Sequence, residues 1–471
     1  MRTTLRRSCN ACAKAKHSCD LRTPRCSRCI KRRVSCVYAN EPLTLQAPPE
    51  GPGHGRAVIN KASKVTCVAQ RDVKMSRKVL DGSVKLLNSV DTSFDPFDSY
   101  PPTRLSRIHV QRLIHHFLSN IAFQYYPLDL NMISNPFIVS WWPLALADPA
   151  LFHVSIQTAS LDEELRAHKG FPVSELLMVD SVSLIRQKIE NSSLAFQDDT
   201  LNSVVTLAAI EHGKGNVEAS RTHIDGVKRI VGVRGGISHV RQSSPLTARM
   251  IAWVSMLVTG APQFPIQDDL GIGDGVCPTL QWLLASPDLE SSSEAIDDLD
   301  IDPTMIDILT RLRNISQEAS SLSGTELHDL TCFVVHKLLL LPPLSTQNLQ
   351  QSAASESLRY AMALYMLAIH GTTYYSHIGL VMTIMQQFRS YLEVLVRSDV
   401  DESLKLWIFS VGMVSSIDPI NSKWFTEQAY LAATSLKIQT WEDVLVYFQR
   451  ILWMETPRGV IFQRQWEDML T

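Results

Sequence analysis

Apolar residues from position 105 onward recur at helical spacing. One helical face is marked by Leu105, Ile108, Leu113, Ile114, Phe117, Leu118 and Ile121. Similar stripes run through residues 176–189, 201–210, 358–369 and 441–453, and clusters of Gly, Pro and Asn separate them. No alternating pattern typical of strands persists. The pattern predicts an all-α body at residues 105–471, with its helices packed as antiparallel hairpins.

Residues 41–104 are predicted to form a flexible, basic linker. Prolines and glycines interrupt its start, at Pro42, Pro48, Pro49, Gly51, Pro52, Gly53 and Gly55. Val73, Leu80 and Leu87 do repeat at intervals of seven residues, but Gly82 interrupts the repeat and serines occupy the partner positions. Such a heptad is too short for a coiled coil, so we expect a solvated linker with one or two helical turns.

Six cysteines near the start of the chain form one unit written twice. They follow the spacing C-x2-C-x6-C-x6-C-x2-C-x6-C and are Cys9, Cys12, Cys19, Cys26, Cys29 and Cys36. The unit recurs after seventeen residues, which pairs Lys14 with Lys31 and Lys16 with Arg33. A C-x2-C pair lets two sulfurs face one metal ion. The third cysteine of each unit can return to that ion from the far end of a short helix.

Counting ligands favours two zinc ions. Two closed tetrahedral sites need eight ligand positions, and six thiolates fill eight positions only if two of them bridge both ions. A single zinc with two idle thiols and a disulfide framework are the alternatives. Met1–Arg7 is basic with no apolar segment behind it, so we expect no secretory signal and an intracellular chain, in which disulfides are rare.

Formal charge is distributed unevenly along the chain. Residues 1–40 hold eleven Lys/Arg and one acid, a net +10, and residues 41–88 hold eight Lys/Arg and four acids, a net +4. Residues 89–471 hold 26 Lys/Arg and 42 acids, a net −16. A two-zinc, six-thiolate cluster lowers the first figure to about +8. A small basic module on an acidic body predicts binding to a polyanion.

The sequence has few features of a membrane protein or of an enzyme. No apolar run reaches the roughly 18 residues of a membrane helix, because Pro143, Asp148 and Pro149 interrupt the longest candidate at 137–152. The glycine-rich residues 271–275 follow no predicted strand and lack the third glycine of a dinucleotide fingerprint. P-loop, G-x-S-x-G and H-E-x-x-H motifs are absent. We therefore predict no membrane contact and no enzyme.

The six-cysteine block resembles the fungal binuclear zinc cluster, the DNA-binding module of fungal transcription factors. Pro24 lies between the halves, where that family usually has a proline, and residues 36–38 match its usual C-x-Y exit. This resemblance implies that Cys9 and Cys26 are the two bridging ligands.

The same resemblance implies that the short helix carrying Lys14 and Lys16 reads a CGG-type triplet in the major groove. Lys16 falls on the family's lysine position, and lysine suits guanine because O6 and N7 offer two acceptors on one edge. Ala13, Ala15 and Ser18 stand where the family often has basic residues. In this respect the segment is similar to regulators of aflatoxin-type secondary-metabolite pathways.

Five further cations are expected to contact phosphates, which hold the module without specifying sequence. They are Arg6, Arg7, Lys31, Arg32 and Arg33. These residues also fit a nuclear-import signal.

The body resembles the fungal-specific transcription factor domain, whose role is regulatory. The strings that carry this resemblance are Asp95-Pro96-Phe97, Asn135-Pro136-Phe137, Trp142-Pro143-Leu144-Ala145, Asp148-Pro149-Ala150-Leu151-Phe152-His153, His223-Ile224-Asp225-Gly226, Arg234-Gly235-Gly236, Trp424-Phe425, Trp441-Glu442-Asp443 and Leu452-Trp453.

The acidic–aliphatic residues 288–307 fit either an activation segment or a solvated loop. The histidines and the remaining cysteines are expected to be packed or at the surface: His115, His116, His212, His223, Cys67, Cys277 and Cys332.

The leading interpretation is a mainly α protein with a binuclear zinc-cluster module at residues 1–40, a linker at 41–104 and a regulatory body at 105–471. Its implied function is nuclear, sequence-specific regulation of RNA polymerase II transcription on double-stranded DNA. Two other classes stay open: a zinc-storage or redox-thiol protein, and a ligand receptor or enzyme-like body with an accessory zinc head. A homodimer, co-regulators and a small-molecule inducer stay open as partners.

Overall fold

The computed structural model describes residues 10–17, 27–36, 100–125, 134–285, 301–318, 322–344 and 349–470. The chain divides into two units, Met1–Val90 and Asp91–Thr471. The predicted linker at 41–104, apart from its last residues, lies outside the described residues.

Two short helices make up most of the described part of the first unit. They are α1 (Asn10–Lys14) and α2 (Ser27–Arg32), and they contact each other. Helices of five and six residues are too short to be stable alone, so their stability depends on what binds them together.

The second unit is a body of helices. They are α3 (Arg107–Ser119), α4 (Trp142–Ala147), α5 (Pro149–Ala167), α6 (Pro172–Glu190), α7 (Asp198–Gly213), α8 (Val217–Val233), α9 (Ile237–Ser243), α10 (Pro245–Thr259), α11 (Leu280–Leu284), α12 (Pro303–Glu318), α13 (Gly324–Leu340), α14 (Leu349–His370), α15 (Ile378–Arg397), α16 (Glu402–Ser415), α17 (Pro419–Ser435), α18 (Trp441–Ile451) and α19 (Val460–Leu470). A 3-10 turn at Ile121–Phe123 follows α3, and a π-helical turn at Phe137–Trp141 precedes α4. Throughout the described residues there is no strand, and one isolated bridge joins Ile266 to Val276. The predicted all-α class is confirmed.

Sequence signals fix where several helices begin. The Asp148 side chain accepts a hydrogen bond from Leu151 N–H, with Pro149 in the first turn of α5. Ser323 with Glu326, and Thr440 with Asp443, form capping boxes at α13 and α18. These contacts satisfy amide groups that have no partner within the helix.

Neighbouring helices pack in pairs, most extensively α5 with α6, α7 with α8, α14 with α15 and α16 with α17. Gly412 permits the last pairing, because a Cβ there would overlap the Phe425 ring. Helices α5, α7 and α14 are buried on nearly every side, as expected for helices without a polar face. One continuous apolar core therefore extends from α3 to α19.

The predicted apolar stripe on α3 does lie on a helix, but one of its residues, Ile108, is not buried. Ile108 is 82% exposed, whereas Val110, Leu113 and Phe117 are fully buried. Ile108 lies in the first turn of α3, where the helix has no neighbour on that side. Helical spacing finds the apolar face, but the packing decides which residue at its margin is covered.

The acidic residues 288–307 divide at residue 301. Ile301 is buried, and the Asp302 N–H donates to Ser355 Oγ at 2.8 Å. Asp307 then pairs with Arg311 inside α12. Residues 301–307 therefore belong to the packed body, which is a correction to the solvated or activating segment, and residues 288–300 lie outside the described residues.

The scattered cysteines and histidines lie in different environments, each of them packed or at the surface where the structure describes it. Cys332 is buried and Cys277 is partly buried, while Cys67 lies outside the described residues. His115 is exposed, and His116 Nε2 lies 2.6 Å from Asp162 Oδ2. None of the described helices is long and apolar enough to cross a membrane.

A buried ion pair closes the turn between α13 and α14. Glu356 and Arg359 have side chains that are 1% and 4% exposed, and Arg359 Nη1 lies 3.3 Å from both Glu356 oxygens. Arg359 also donates to the carbonyls of Leu338 and Leu341 at the end of α13. Glu356 Oε1 accepts from the Leu344 N–H at 2.7 Å. The pair, which lies on α14, thus satisfies backbone groups at the end of α13 and in the residues that follow it.

Glu356→Ala is expected to destabilise the body by about 3–5 kcal/mol, because it leaves a buried guanidinium without its counter-charge. Urea unfolding followed by tryptophan fluorescence measures the loss. The matched control is Glu427→Ala, which removes an exposed carboxylate 4.0 Å from Lys423 and should cost less than about 1 kcal/mol. Equal losses in the two variants would contradict the structural role of the buried pair.

Candidate zinc centre and nucleic-acid interface

Three of the six predicted zinc ligands lie together in the first unit. Cys12 in α1, Cys29 in α2 and Cys36 after α2 form one buried cluster, with Ala11 packed against it. The other three predicted ligands, Cys9, Cys19 and Cys26, lie outside the described residues. Sulfurs from both halves of the repeat therefore meet in a single interior.

The two halves have the same backbone as well as the same spacing. The His17 N–H donates to Cys12 O at 3.0 Å, and seventeen residues later the Val34 N–H donates to Cys29 O at 3.1 Å. Both bonds are the six-to-one bonds that end a helix in a Schellman turn. The residue before each donor has positive φ, 51° at Lys16 and 50° at Arg33.

A cation therefore stands where this turn usually has glycine. A left-handed residue with a Cβ costs roughly 1–2 kcal/mol, and the cost is incurred in both halves. Lys16 is not in α1, as the sequence indicated, but in the turn just beyond Lys14. Backbone strain of this kind is often kept where a side chain has a function.

The predicted DNA-contacting residues that the structure describes are all exposed. They are Lys14, Lys16, Lys31, Arg32 and Arg33, while Arg6 and Arg7 lie outside the described residues. Lys14 ends α1, and Lys31 and Arg32 end α2, where positive charge also interacts favourably with the helix dipole. The buried thiols are thus covered by a surface rich in cations.

Two further features of this surface escaped the sequence reasoning. Arg28 is exposed in the first turn of α2, and Ile30 and Val34 are apolar side chains at the surface beside the cations. The charge of Arg28 was the available signal. Nothing in the sequence distinguishes Ile30 and Val34 from core residues.

The donors that the described part of the first unit offers to zinc are cysteine thiols, a ligand type that structural zinc prefers. Among the described residues no three His, Cys, Asp or Glu side chains form a group that could hold one ion. In the arrangement predicted from the sequence, Cys12 serves one ion and Cys29 with Cys36 serve the other. The described residues then include at most two ligands of either ion.

The body contains a buried histidine cluster that the sequence did not reveal. His328 Nδ1 lies 2.9 Å from His370 Nε2, between α13 and α14, and the Trp253 ring packs against both imidazoles. His336 Nδ1 lies 2.7 Å from Cys332 O. Burial lowers the pKa of His370 to about 3 and that of His336 to about 4, and it holds the pKa of His328 well below 6.5. These imidazoles are neutral at physiological pH, which suits packing.

Comparison with known families supports this geometry. Residues 7–44 match the model of the fungal Zn(2)-Cys(6) binuclear cluster domain, and residues 112–261 match that of the fungal specific transcription factor domain. The second match runs from α3 to just beyond α10. The cluster match implies zinc binding and DNA binding.

A relative is found among curated proteins. The chain is 30% identical over 73 residues to a Saccharomyces cerevisiae peroxisome proliferation transcriptional regulator. The match covers 16% of this chain and 7% of that protein. No solved structure matches the chain. The two family models thus match separate parts of the chain: the fungal binuclear zinc-cluster model matches the six-cysteine segment, and the fungal specific transcription factor model matches the part of the body from α3 to just beyond α10.

Proposed function

We propose that this protein is a nuclear, sequence-specific regulator of RNA polymerase II transcription that binds DNA through a cluster of two zinc ions. The observation that carries this proposal is the pair of matching turns around Cys12 and Cys29. Each turn buries a thiol and ends in an exposed cation with a strained backbone.

Six thiolates hold the two ions in this proposal. Cys9 and Cys26 bridge both ions, Cys12 and Cys19 complete one site, and Cys29 and Cys36 complete the other. Zinc supplies the tetrahedral centre that two short helices cannot replace, since structural zinc contributes folding free energy directly.

Lys16 is the proposed base reader, with Lys14 beside it, on a CGG-type triplet. The support is that a long cation occupies a position where backbone chemistry favours glycine, and that Lys16 also falls on the lysine position of the family that the segment resembles, which Arg33 with the same backbone does not. A bidentate contact between the Lys16 ammonium and guanine would offset the backbone strain at this position in the DNA complex. Arg6, Arg7, Lys31, Arg32 and Arg33 are proposed to contact phosphates.

The body at 105–471, joined through the linker at 41–104, is proposed to regulate this DNA-binding module without catalysing a reaction. It carries most of the chain's acidic residues, so it is unsuited to binding DNA itself. Homodimers or co-regulators assemble through it in this proposal, and the target genes belong to a secondary-metabolite pathway. The alanine-lysine pattern of the reading segment supports that last assignment.

Lys16→Ala is expected to weaken binding of the full-length protein to a CGG-containing duplex by about 1–3 kcal/mol and to relax the preference for that triplet. Arg32→Ala should weaken binding to all duplexes alike and flatten the salt dependence. Anisotropy titrations on duplexes with and without the triplet, at several salt concentrations, measure both effects.

Lys16→Gly separates recognition from folding. Glycine relieves the positive φ at this position, so the turn should form at least as well as in the wild type. A loss of discrimination in Lys16→Gly equal to that in Lys16→Ala assigns the effect to the missing ammonium. Unchanged discrimination in both variants would contradict base reading by Lys16.

A further inference from the structure

A surface groove in the body lies between α15 and the junction of α16 with α17. Its volume is about 530 Å³, within the range of sites that hold a small organic molecule. Apolar walls come from Val381, Met385 and the exposed side chains Met382 and Ile417, which are 60% and 54% exposed. Methionine side chains adapt their shape to a ligand. The groove can therefore accept an apolar body.

A guanidinium lines this groove without a counter-charge. Arg389 Nη1 is buried and has no hydrogen-bond partner, and Arg389 forms no ion pair with any carboxylate of the described residues. Its guanidinium carbon lies 4.0 Å from the centre of the Trp424 ring, which fixes its position by a cation–π contact. A buried donor of a charged group is costly to leave without an acceptor.

A second polar atom in the groove is also without a partner. Ser415 Oγ is buried and makes no hydrogen bond within the described structure, whereas the neighbouring Ser416 Oγ donates to Gly412 O at 2.7 Å. Arg389 and Ser415 both line the same groove. Two side chains with unsatisfied polar atoms thus border the same space as the apolar wall.

The carboxylate among the residues that line the groove, that of Asp418, already has a hydrogen-bond partner. Asp418 Oδ2 accepts a hydrogen bond from the Asn421 N–H at 3.2 Å and so caps α17. Its negative charge interacts with the amino-terminal end of that helix, and Arg389 keeps an unmatched positive charge. Of the two charged side chains that line the groove, the one with a polar atom left without a partner is the cation, and the chemical complement of that cation is an anion.

We propose that this groove binds a small amphipathic carboxylate. The carboxylate accepts hydrogen bonds from Arg389, to which its planar geometry is suited, and from Ser415. The apolar part of the molecule packs on Val381, Met382, Met385 and Ile417. Such a site gives the regulatory body a means of sensing an organic acid.

Binding is measured on the full-length protein without DNA, so its outcome is independent of the zinc segment. Dansyl-undecanoate serves as the fluorescent ligand, and decanoate and neutral decanol compete with it. Decanoate should displace the dansyl ligand at a concentration at least about tenfold lower than decanol. Arg389→Gln should weaken decanoate by about 10–100-fold and leave decanol within about twofold.

Two further variants make the outcome decisive. Arg397→Gln removes an exposed cation at the end of α15, away from the groove lining, and should leave both affinities unchanged. Met382→Glu places a negative charge on an exposed groove position, where folding should tolerate it, and should weaken decanoate selectively. Equal displacement by decanoate and decanol, or unchanged decanoate affinity in Met382→Glu, would overturn the proposal.

Discussion

Removal of zinc from the full-length protein is expected to unfold residues 1–40 and abolish DNA binding while the body stays folded. In the described part of that segment the buried apolar side chains are Cys12, Cys29 and Cys36, so the sulfurs themselves form the interior. Zinc binding to such segments supplies about 10–16 kcal/mol of apparent free energy. Without metal, the thiols would be protonated and no longer joined to one another, and α1 and α2 would be too short to persist.

Metal analysis of the purified protein should give close to two zinc ions per chain, and Cys9→Ser or Cys26→Ser should lose both. Cys12→Ser should perturb mainly one ion. Cys277→Ser, in the body, is the matched control and should retain both ions and full DNA binding. One zinc per chain, with two cluster thiols open to alkylation under native conditions, would refute the bridged arrangement.

Acid is expected to destabilise the body between pH 6.5 and pH 4, above the range in which carboxylates dominate. Burial lowers the pKa of His370 to about 3 and that of His336 to about 4, and lowers the pKa of His328 in the same direction. The unfolded chain, with imidazole pKa near 6.5, therefore takes up protons first. The free energy of unfolding of the body is therefore highest above pH 6.5 and decreases as the pH falls below that value.

At pH 5 the burial of His370 and of His336 should each remove about 2 kcal/mol, and the two together about 4 kcal/mol, while His328 acts in the same direction. That is a large part of the free energy of unfolding of a typical domain. Burial also lowers the pKa of His212, His223 and His377, so they add to the loss.

Urea unfolding at pH 7 and pH 5 measures this loss. The first tryptophan is Trp141, so tryptophan fluorescence reports on the body alone. His336→Gln should reduce the difference between the two pH values by about 2 kcal/mol, and His115→Gln, at an exposed position, should leave it unchanged. The same free energy of unfolding at pH 7 and pH 5 would show that the folded imidazoles take up protons as readily as the unfolded ones, which would contradict the lowered pKa values.

The sequence by itself determined the helical class, the position of the body and the pattern of the zinc segment. Helical spacing is a local property, so the stripes at 176–189, 201–210 and 441–453 indicated α6, α7 and α18. Metal-ligand spacing is equally local, which is why six cysteines written as two units point to zinc.

Only the tertiary structure decided which side chains meet across long separations. His328 and His370 are 42 residues apart and come together because α13 packs on α14. Arg389 and Ser415 carry no sequence signal, and the packing of α15 near α16 and α17 leaves Arg389 Nη1 and Ser415 Oγ without a hydrogen bond among the described residues. Lys16 looked like a helical residue, but a Schellman turn places it at φ 51° just beyond α1. Burial and partner choice depend on contacts between distant segments, and the spacing of residues along the chain does not specify those contacts.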